Sequence, residues 1–442
     1  MSDLLSRIYA AFSPEPLHKG QQDLYIDLKD VRGDSGTVGA LRQKILLSPG
    51  RSAQVLTGHP GSGKSTELWQ LRNALESPAD PSERYFVVQY QANDRENGLN
   101  LHDIDAIDIL CALIRQLAID MRDRLGVELK PHYFRDRWKR LKELALTEVD
   151  FDKLELAAGM GKITGILRHS VETRRRVREA LDPDADNWIA AANDVIGEAI
   201  LALKAQEFRG LVIIADDLDK MDSYPVNDGG LLTTERLFIN RARELTSFDC
   251  HVIYTLPIEL AYSHHGSTIR RTFGGHLPVV PMIKLRTAPP NEAEHALGME
   301  KCREIIGVRL TSIGASEADA FASDAIRDTL IRFSGGQPTE IMAFVREAII
   351  TDGLPIGEKG LRRIRFESMR SYQRQLMRGH WPLIEEVRHT GQVERTEDNE
   401  TLFRQLLESR AILLYRNDQE WYGLNPAVAE LQPPQTPPVS AP

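Results

Sequence analysis

The stretch Gly58-His59-Pro60-Gly61-Ser62-Gly63-Lys64-Ser65 decides how this chain reads. Its spacing is G-x-x-x-x-G-K-S. Glycines let the backbone curl until successive N–H groups point inward, a concavity that suits phosphate oxygens. Lys64 is placed to reach the outer phosphates, and the Ser65 hydroxyl suits a divalent cation. The flanks supply the setting such a loop needs. Ser52-Ala53-Gln54-Val55-Leu56-Thr57 is a short apolar run of strand length. Beyond Ser65, Leu68, Leu71 and Leu75 recur at helical spacing. A helix starting here aims the positive end of its dipole at the same anions. His59 sits inside the loop, where a solvent-facing ring is expected.

Strand and helix patterns alternate outward from the loop. Tyr85–Tyr90, Leu211–Ala215, His251–Leu256 and Val279–Leu285 read as strands. Residues 104–125 read as an amphipathic helix with Ile107, Leu110, Leu113, Ile114 and Leu117 on one face, and residues 187–206 as another. That order predicts an α/β fold with a parallel sheet over residues 1–288. Residues 130–183 are charged and poor in strand formers, and read as a helical insertion. After Pro289-Pro290 the strand signals stop. Helical patterns at 292–306, 323–333 and 339–350 predict a small α-helical lid, residues 289–356. From 357 to 430, helices at 361–377 and 400–409 precede two β-like runs, Ala411–Tyr415 and Glu420–Leu424, around Asn417-Asp418. Helices followed by a hairpin predict a winged-helix domain. The tail 431–442 holds prolines 433, 434, 437, 438 and 442 and is expected to be disordered.

Composition narrows the partners. The chain has 442 residues, 42% hydrophobic and 27% charged, with a net charge of −9. It is not a polycation, so contact with nucleic acid would need a local basic patch. Cys111, Cys250 and Cys302 are scattered and form no CxxC pair, which excludes a disulfide framework and a cysteine-rich zinc site. No run approaches the ~18 apolar residues of a membrane span, and the N-terminus does not read as a signal peptide. A soluble, cytoplasmic protein without a membrane partner is expected.

A second cluster follows the strand at Leu211–Ala215, which runs into Asp216-Asp217. A carboxylate at a strand end, Asp216, suits Mg²⁺ coordination, and Asp217 is placed to accept a proton from an attacking water. Asp219 and Asp222 continue the acids and are expected to be surface or structural residues. Thr255 ends the next strand. It can sense a terminal phosphate or simply cap a turn. Arg270 and Arg271 can reach a ligand held by a neighbouring subunit, or form a solvated surface pair.

Together these residues resemble the AAA+ and STAND group of P-loop ATPases, over about residues 20–430. The bacterial STAND-like members and the related replication-initiator branch are the nearest in pattern. Gly58–Ser65 matches Walker A, Ile213–Asp217 matches Walker B, and Gly336-Gln337-Pro338 matches the GxP element of the STAND lid. The resemblance implies ATP and Mg²⁺ as cofactors. It implies nucleotide contacts from Gly58, His59, Pro60, Gly61, Ser62, Gly63, Lys64, Ser65, Thr66 and Pro338, and metal ligation by Ser65 and Asp216. Catalytic roles fall to Asp217, Lys64, Arg271, Arg270 and Thr255. Two departures stand out. Thr339 occupies the place where AAA+ lids carry a sensor arginine, and Thr255-Leu256-Pro257 stands where STAND strands end in arginine. Slow hydrolysis in a switch fits these better than a fast motor.

One basic patch stands out in the acidic chain. Lys359, Arg362, Arg363, Arg365, Arg370, Arg374 and Arg378 share the segment 359–378 with a single acid, Glu367. Residues 363, 370, 374 and 378 align on one helical face. That face can grip DNA phosphates or lie solvated against the acidic remainder. Arg174–Arg178 is a shorter patch of the same kind. Three functions stay open: an ATP-driven switch in a regulatory or defence system, a DNA-binding ATPase that loads or remodels nucleic-acid complexes, and a non-catalytic nucleotide-gated scaffold. In each case self-association or a separate effector protein is expected.

Overall fold

A computed structural model describes residues 3–18, 20–33, 36–130, 185–226, 230–416 and 419–433, with Leu156, Ala158, Gly159, Thr164, Arg174, Arg175, Arg178 and Glu179. The expected insertion at 130–183 lies almost wholly outside the described residues. So do Asn417-Asp418 and most of the proline-rich tail. The chain forms two compact units. A sheet unit comprises Thr37–Thr57 and Glu67–Pro278. A C-terminal unit comprises Met1–Gly36, Gly58–Thr66 and Val279–Pro442.

The sheet unit holds β1 (Ser52–Thr57), β2 (Tyr85–Gln91), β3 (Gly210–Asp216) and β4 (His251–Leu256). They lie in the order β1-β4-β3-β2, all parallel. Every residue of β3 and β4 is buried, which is why both read as near-continuous apolar runs rather than alternating ones. Helices Ala106–Leu125 and Ala185–Ala205 pack with the sheet around a core that includes Val55, Phe86, Ile114, Trp188, Ile213 and Tyr254. Each such large side chain stabilises the fold by about 1.5–3 kcal/mol when fully buried. Helix Ala106–Leu125 starts where Asp105 accepts from Ala106 N–H and Asp108 accepts from Asp105 N–H, and it stops at Gly126 in the left-handed region. Register puts Thr57 opposite Leu256 and Ala215 opposite Tyr254. β1 and β3 therefore end at the same carboxyl edge of the sheet, the edge where open parallel sheets bind ligands.

The C-terminal unit is built from helices Ala296–Ser312, Asp324–Phe333, Pro338–Asp352, Glu358–Gln375, Trp381–Thr390 and Glu400–Glu408. An antiparallel pair follows, β5 (Ile412–Arg416) and β6 (Glu420–Leu424). Tyr415 and Trp421 stack at 4.5 Å and form a small core with Met282 and Leu413.

Two sequence expectations need correction. Val279–Leu285 is buried but is not a strand. Its N–H groups go to three different places: Met282 to Leu414 O, Ile283 to Gly336 O and Lys284 to Val31 O. An apolar run requires burial, but a strand also requires one partner along its length. The basic helix ends at Gln375, and Arg378 opens a separate turn, Arg378–His380. Arg378 therefore does not share a helical face with 363, 370 and 374. Among the described residues, no helix is long and apolar enough to cross a membrane.

Candidate functional site

The glycine loop, in the C-terminal unit, takes its shape from backbone that only glycine adopts readily. Gly58, Gly61 and Gly63 have φ of 149°, 83° and 98°. At Gly58 space forbids a side chain as well, since a Cβ would lie 2.6 Å from the Val280 carbonyl oxygen. Lys64 opens helix Lys64–Glu76, and its ammonium folds back over the loop. Nζ donates to Gly58 O at 2.7 Å and to His59 O at 2.9 Å. These carbonyls offset the cost of burying the charge. Ser62 is fully buried, and its Oγ has no hydrogen-bond partner among the described residues. Such a hydroxyl costs about 1–3 kcal/mol, and a phosphate oxygen would satisfy it. The orphaned hydroxyl, the buried cation and the curl at Gly58 all fit a bound phosphate chain. Ser65 and Thr66 are half-buried at the start of the helix.

The loop is held from outside by Arg32, which sequence patterns did not single out, and by the start of helix Pro338–Asp352. The buried Arg32 guanidinium donates to Ser62 O. Its only sequence signal is a lone arginine before Gly33. Pro338 is the first residue of helix Pro338–Asp352, and the Thr339 N–H lies 3.5 Å from Gly61 O. Gly336, two residues earlier, packs so closely that a Cβ would lie 1.9 Å from Ile283 O. The GxP element thus lies beside the loop.

His59 is the clearest correction at the site. It does not face solvent; its exposure is 0%. Its Nε2 accepts the Leu414 N–H of β5 at 3.0 Å. Burial pushes its pKa down to about 3, with the charges of Lys64 and Arg410 acting in the same sense and the Leu407 backbone opposing them. The ring is therefore neutral, with its proton on Nδ1. Its partner is 355 residues away along the chain, so no local pattern could announce the contact.

The acidic group belongs to the sheet unit. Asp216 ends β3 fully buried, and its Oδ1 accepts the Asp217 N–H at 2.8 Å. Asp217 has a φ of 66°, and its Oδ1 lies 2.6 Å from Lys220 Nζ. Burial disfavours the charged form of Lys220, but its bond to Asp217 and the nearby acids outweigh this and raise its pKa. Oxygens of Asp216, Asp217 and Asp219 lie within 4.8 Å of one another, a donor set suited to a hard divalent cation. Thr255 is fully buried, and its Oγ1 accepts from Leu218 N–H at 2.9 Å and Asp219 N–H at 3.3 Å. It holds the turn that carries the acids. Asp222 lies at the surface, paired with His102 at 2.8 Å.

Arg270 and Arg271 lie exposed on helix Gly266–Thr272, and among the described residues neither side chain has a polar partner. In the patch at Arg174–Arg178, Arg175 is exposed and pairs with Glu179 at 3.4 Å, and Arg176 lies outside the described residues. Arg174 donates to Asp103, and Arg178 to Asp103 and Asp108, so both are spent on internal ion pairs. The longer basic helix is different. Lys359, Arg362, Arg363, Arg365, Arg370 and Arg374 are exposed. Arg363 pairs with Glu367 at 2.9 Å, Arg365 pairs with Glu430 at 3.0 Å, and Arg370 lies over the exposed Phe366 ring.

No protein-family model matches this sequence, and no curated protein does. Among solved structures, Cdc6p from Pyrobaculum aerophilum aligns over 95% of this chain and 95% of its own, at 13% identity and a TM-score of 0.39. Drosophila ORC bound to DNA aligns over 96% of this chain and 89% of its own, at 13% identity and a TM-score of 0.33. Similarity of that size defines neither family nor activity.

Proposed function

We propose that this chain is a Mg²⁺-dependent P-loop ATPase of the AAA+/STAND type, working as a slow nucleotide-driven switch. The carrying observation is the loop at Gly58–Ser65, with its buried Lys64 and the orphaned Ser62 hydroxyl. Loop N–H groups and the Ser62 hydroxyl would hold the phosphates, and Lys64 would turn to them from the Gly58 and His59 carbonyls. Ser65 and Asp216 are the residues that would hold Mg²⁺, and Mg²⁺ when bound neutralises charge on the phosphoryl oxygens. Asp217 would accept the proton of the attacking water.

Slow turnover is supported by Lys220, because Asp217 must first release that ammonium. A switch is supported by the loop's contacts to β5 through His59 and to helix Pro338–Asp352 through Thr339. Exposed Arg270 and Arg271 suit the nucleotide of a second copy. A second reading, a DNA-binding ATPase, is favoured by the exposed cations of helix Glu358–Gln375, next in sequence to helices and a hairpin that suit a winged helix.

Calorimetry with ATP and a phosphate-release assay test the main reading. Lys64→Ala should lose ATP binding, and Asp217→Asn should bind ATP but not turn it over. Full hydrolysis by the Lys64→Ala protein refutes the proposal.

A further inference from the structure

A cavity of about 300 Å³ opens inside the C-terminal unit, lined by helices Pro338–Asp352 and Glu358–Gln375 and by residues 408–410. That is the small end of the range for ligand sites. Three rings line it: Tyr372, and Phe333 and Phe344 with centroids 5.8 Å apart. Charge on the lining is acidic. Arg410 is the one cation among its described residues, and Glu340 already holds it at 2.6 Å, while Glu408 adds a further acid. A phosphate or carboxylate ligand would meet repulsion without a free counter-charge.

The polar groups specify the ligand further. Gln337 lines the cavity and is 1% exposed. Its Nε2 donates to Ser334 O at 3.1 Å, but its Oε1 has no hydrogen-bond partner among the described residues. A buried amide oxygen left this way calls for an N–H donor. The Tyr372 hydroxyl is committed already, its one proton shared between the Ser409 and Arg410 carbonyls while its oxygen accepts from Asn425. What the wall still offers is three rings and one buried acceptor without a partner, Gln337 Oε1. That combination suits a flat, uncharged molecule with an amino group.

Both walls of the cavity run to the glycine loop. Gln337 directly precedes Pro338-Thr339, and Thr339 N–H lies 3.5 Å from Gly61 O. On the other side the chain passes from Arg410 into β5, where Leu414 donates to His59. We propose that this cavity binds an uncharged aminated heterocycle of nucleoside size and that its occupancy alters the loop's affinity for nucleotide. The coupling rests on the ATPase reading; the cavity itself does not. If both hold, ligand and ATP change each other's affinity by the same factor.

Adenosine and cytidine are the probes, titrated calorimetrically into the full-length protein. Binding with Kd of about 10–1,000 µM is expected for a ligand of this size. Ser371→Trp and Ser368→Trp fill the cavity from adjacent turns of one helix. Each should weaken nucleoside binding at least about tenfold while ATP binding persists. Absence of wild-type binding at millimolar nucleoside overturns the site. Undiminished binding in both tryptophan variants also overturns it, because the nucleoside would then be elsewhere, including the ATP site. An ATP affinity unchanged by saturating nucleoside overturns the coupling. A wild-type protein that binds cytidine in the cavity but no ATP supports the site and refutes the ATPase reading.

Discussion

Replacing His59 with glutamine should remove one acid-sensitive element from the glycine loop while keeping its bond. The glutamine Oε1 can still accept the Leu414 N–H that Nε2 accepts now. In an unfolded chain a histidine titrates near 6.5, and in this fold His59 is held down to about 3. A base whose folded-state pKa is depressed leaves the unfolded state binding more protons as pH falls. The stability tied to this ring is therefore fully present above about pH 6.5 and is lost progressively as pH drops toward 3. At pH 5 the loss is about 2 kcal/mol. The fully buried His251, held down to about 4 by burial and Arg209, adds a similar loss, but it is present in both proteins and cancels. Urea denaturation followed by tryptophan fluorescence at pH 7 and pH 5 provides the measurement. Wild type should lose about 2 kcal/mol more than His59→Gln between the two. Equal losses would refute the claim that His59 is buried and neutral against β5. His59→Ala gives the complementary reading: at pH 7 it leaves the Leu414 N–H unpaired, at a cost of about 1–3 kcal/mol.

Three further outcomes follow from the site geometry. Gly58→Ala places a Cβ 2.6 Å from Val280 O at a φ that L-residues avoid; it should lower stability by about 1–3 kcal/mol and, on the proposed ATPase reading, weaken ATP binding by calorimetry. Thr255→Val keeps the shape but strips the acceptor from the Leu218 and Asp219 N–H groups; about 1–3 kcal/mol of stability should go, and on the proposed ATPase reading turnover should fall more than ATP affinity. If the basic helix grips DNA, Arg362→Glu with Arg374→Glu should weaken binding uniformly across sequences and flatten its salt dependence by about two counterions; an unchanged salt slope in a fluorescence-anisotropy titration would remove that helix from the interface.

The four strands of the sheet were legible because each is a local, near-continuous apolar run bounded by turn residues, as in Leu211–Ala215. The loop was legible because its geometry is carried by glycines and a lysine within eight consecutive positions. The helices after Pro290 were legible to within a few residues; the one expected from Glu292 starts at Ala296, where the His295 side chain caps Gly298 N–H.

Sequence alone therefore determined the parallel α/β pattern, the glycine-rich loop and the acidic strand end, since each depends on spacing along the chain. Tertiary structure decided the rest. It turned His59 inward to β5, set Arg32 on Ser62 O, and spent Arg174 and Arg178 on Asp103. It also denied Val279–Leu285 a strand by dividing its N–H groups among three elements. The physical reason is common to all four. Hydrophobicity tells a segment that it must be buried, but a buried polar group takes whichever partner chain closure brings to it, and the Leu414 partner of His59 lies 355 residues away.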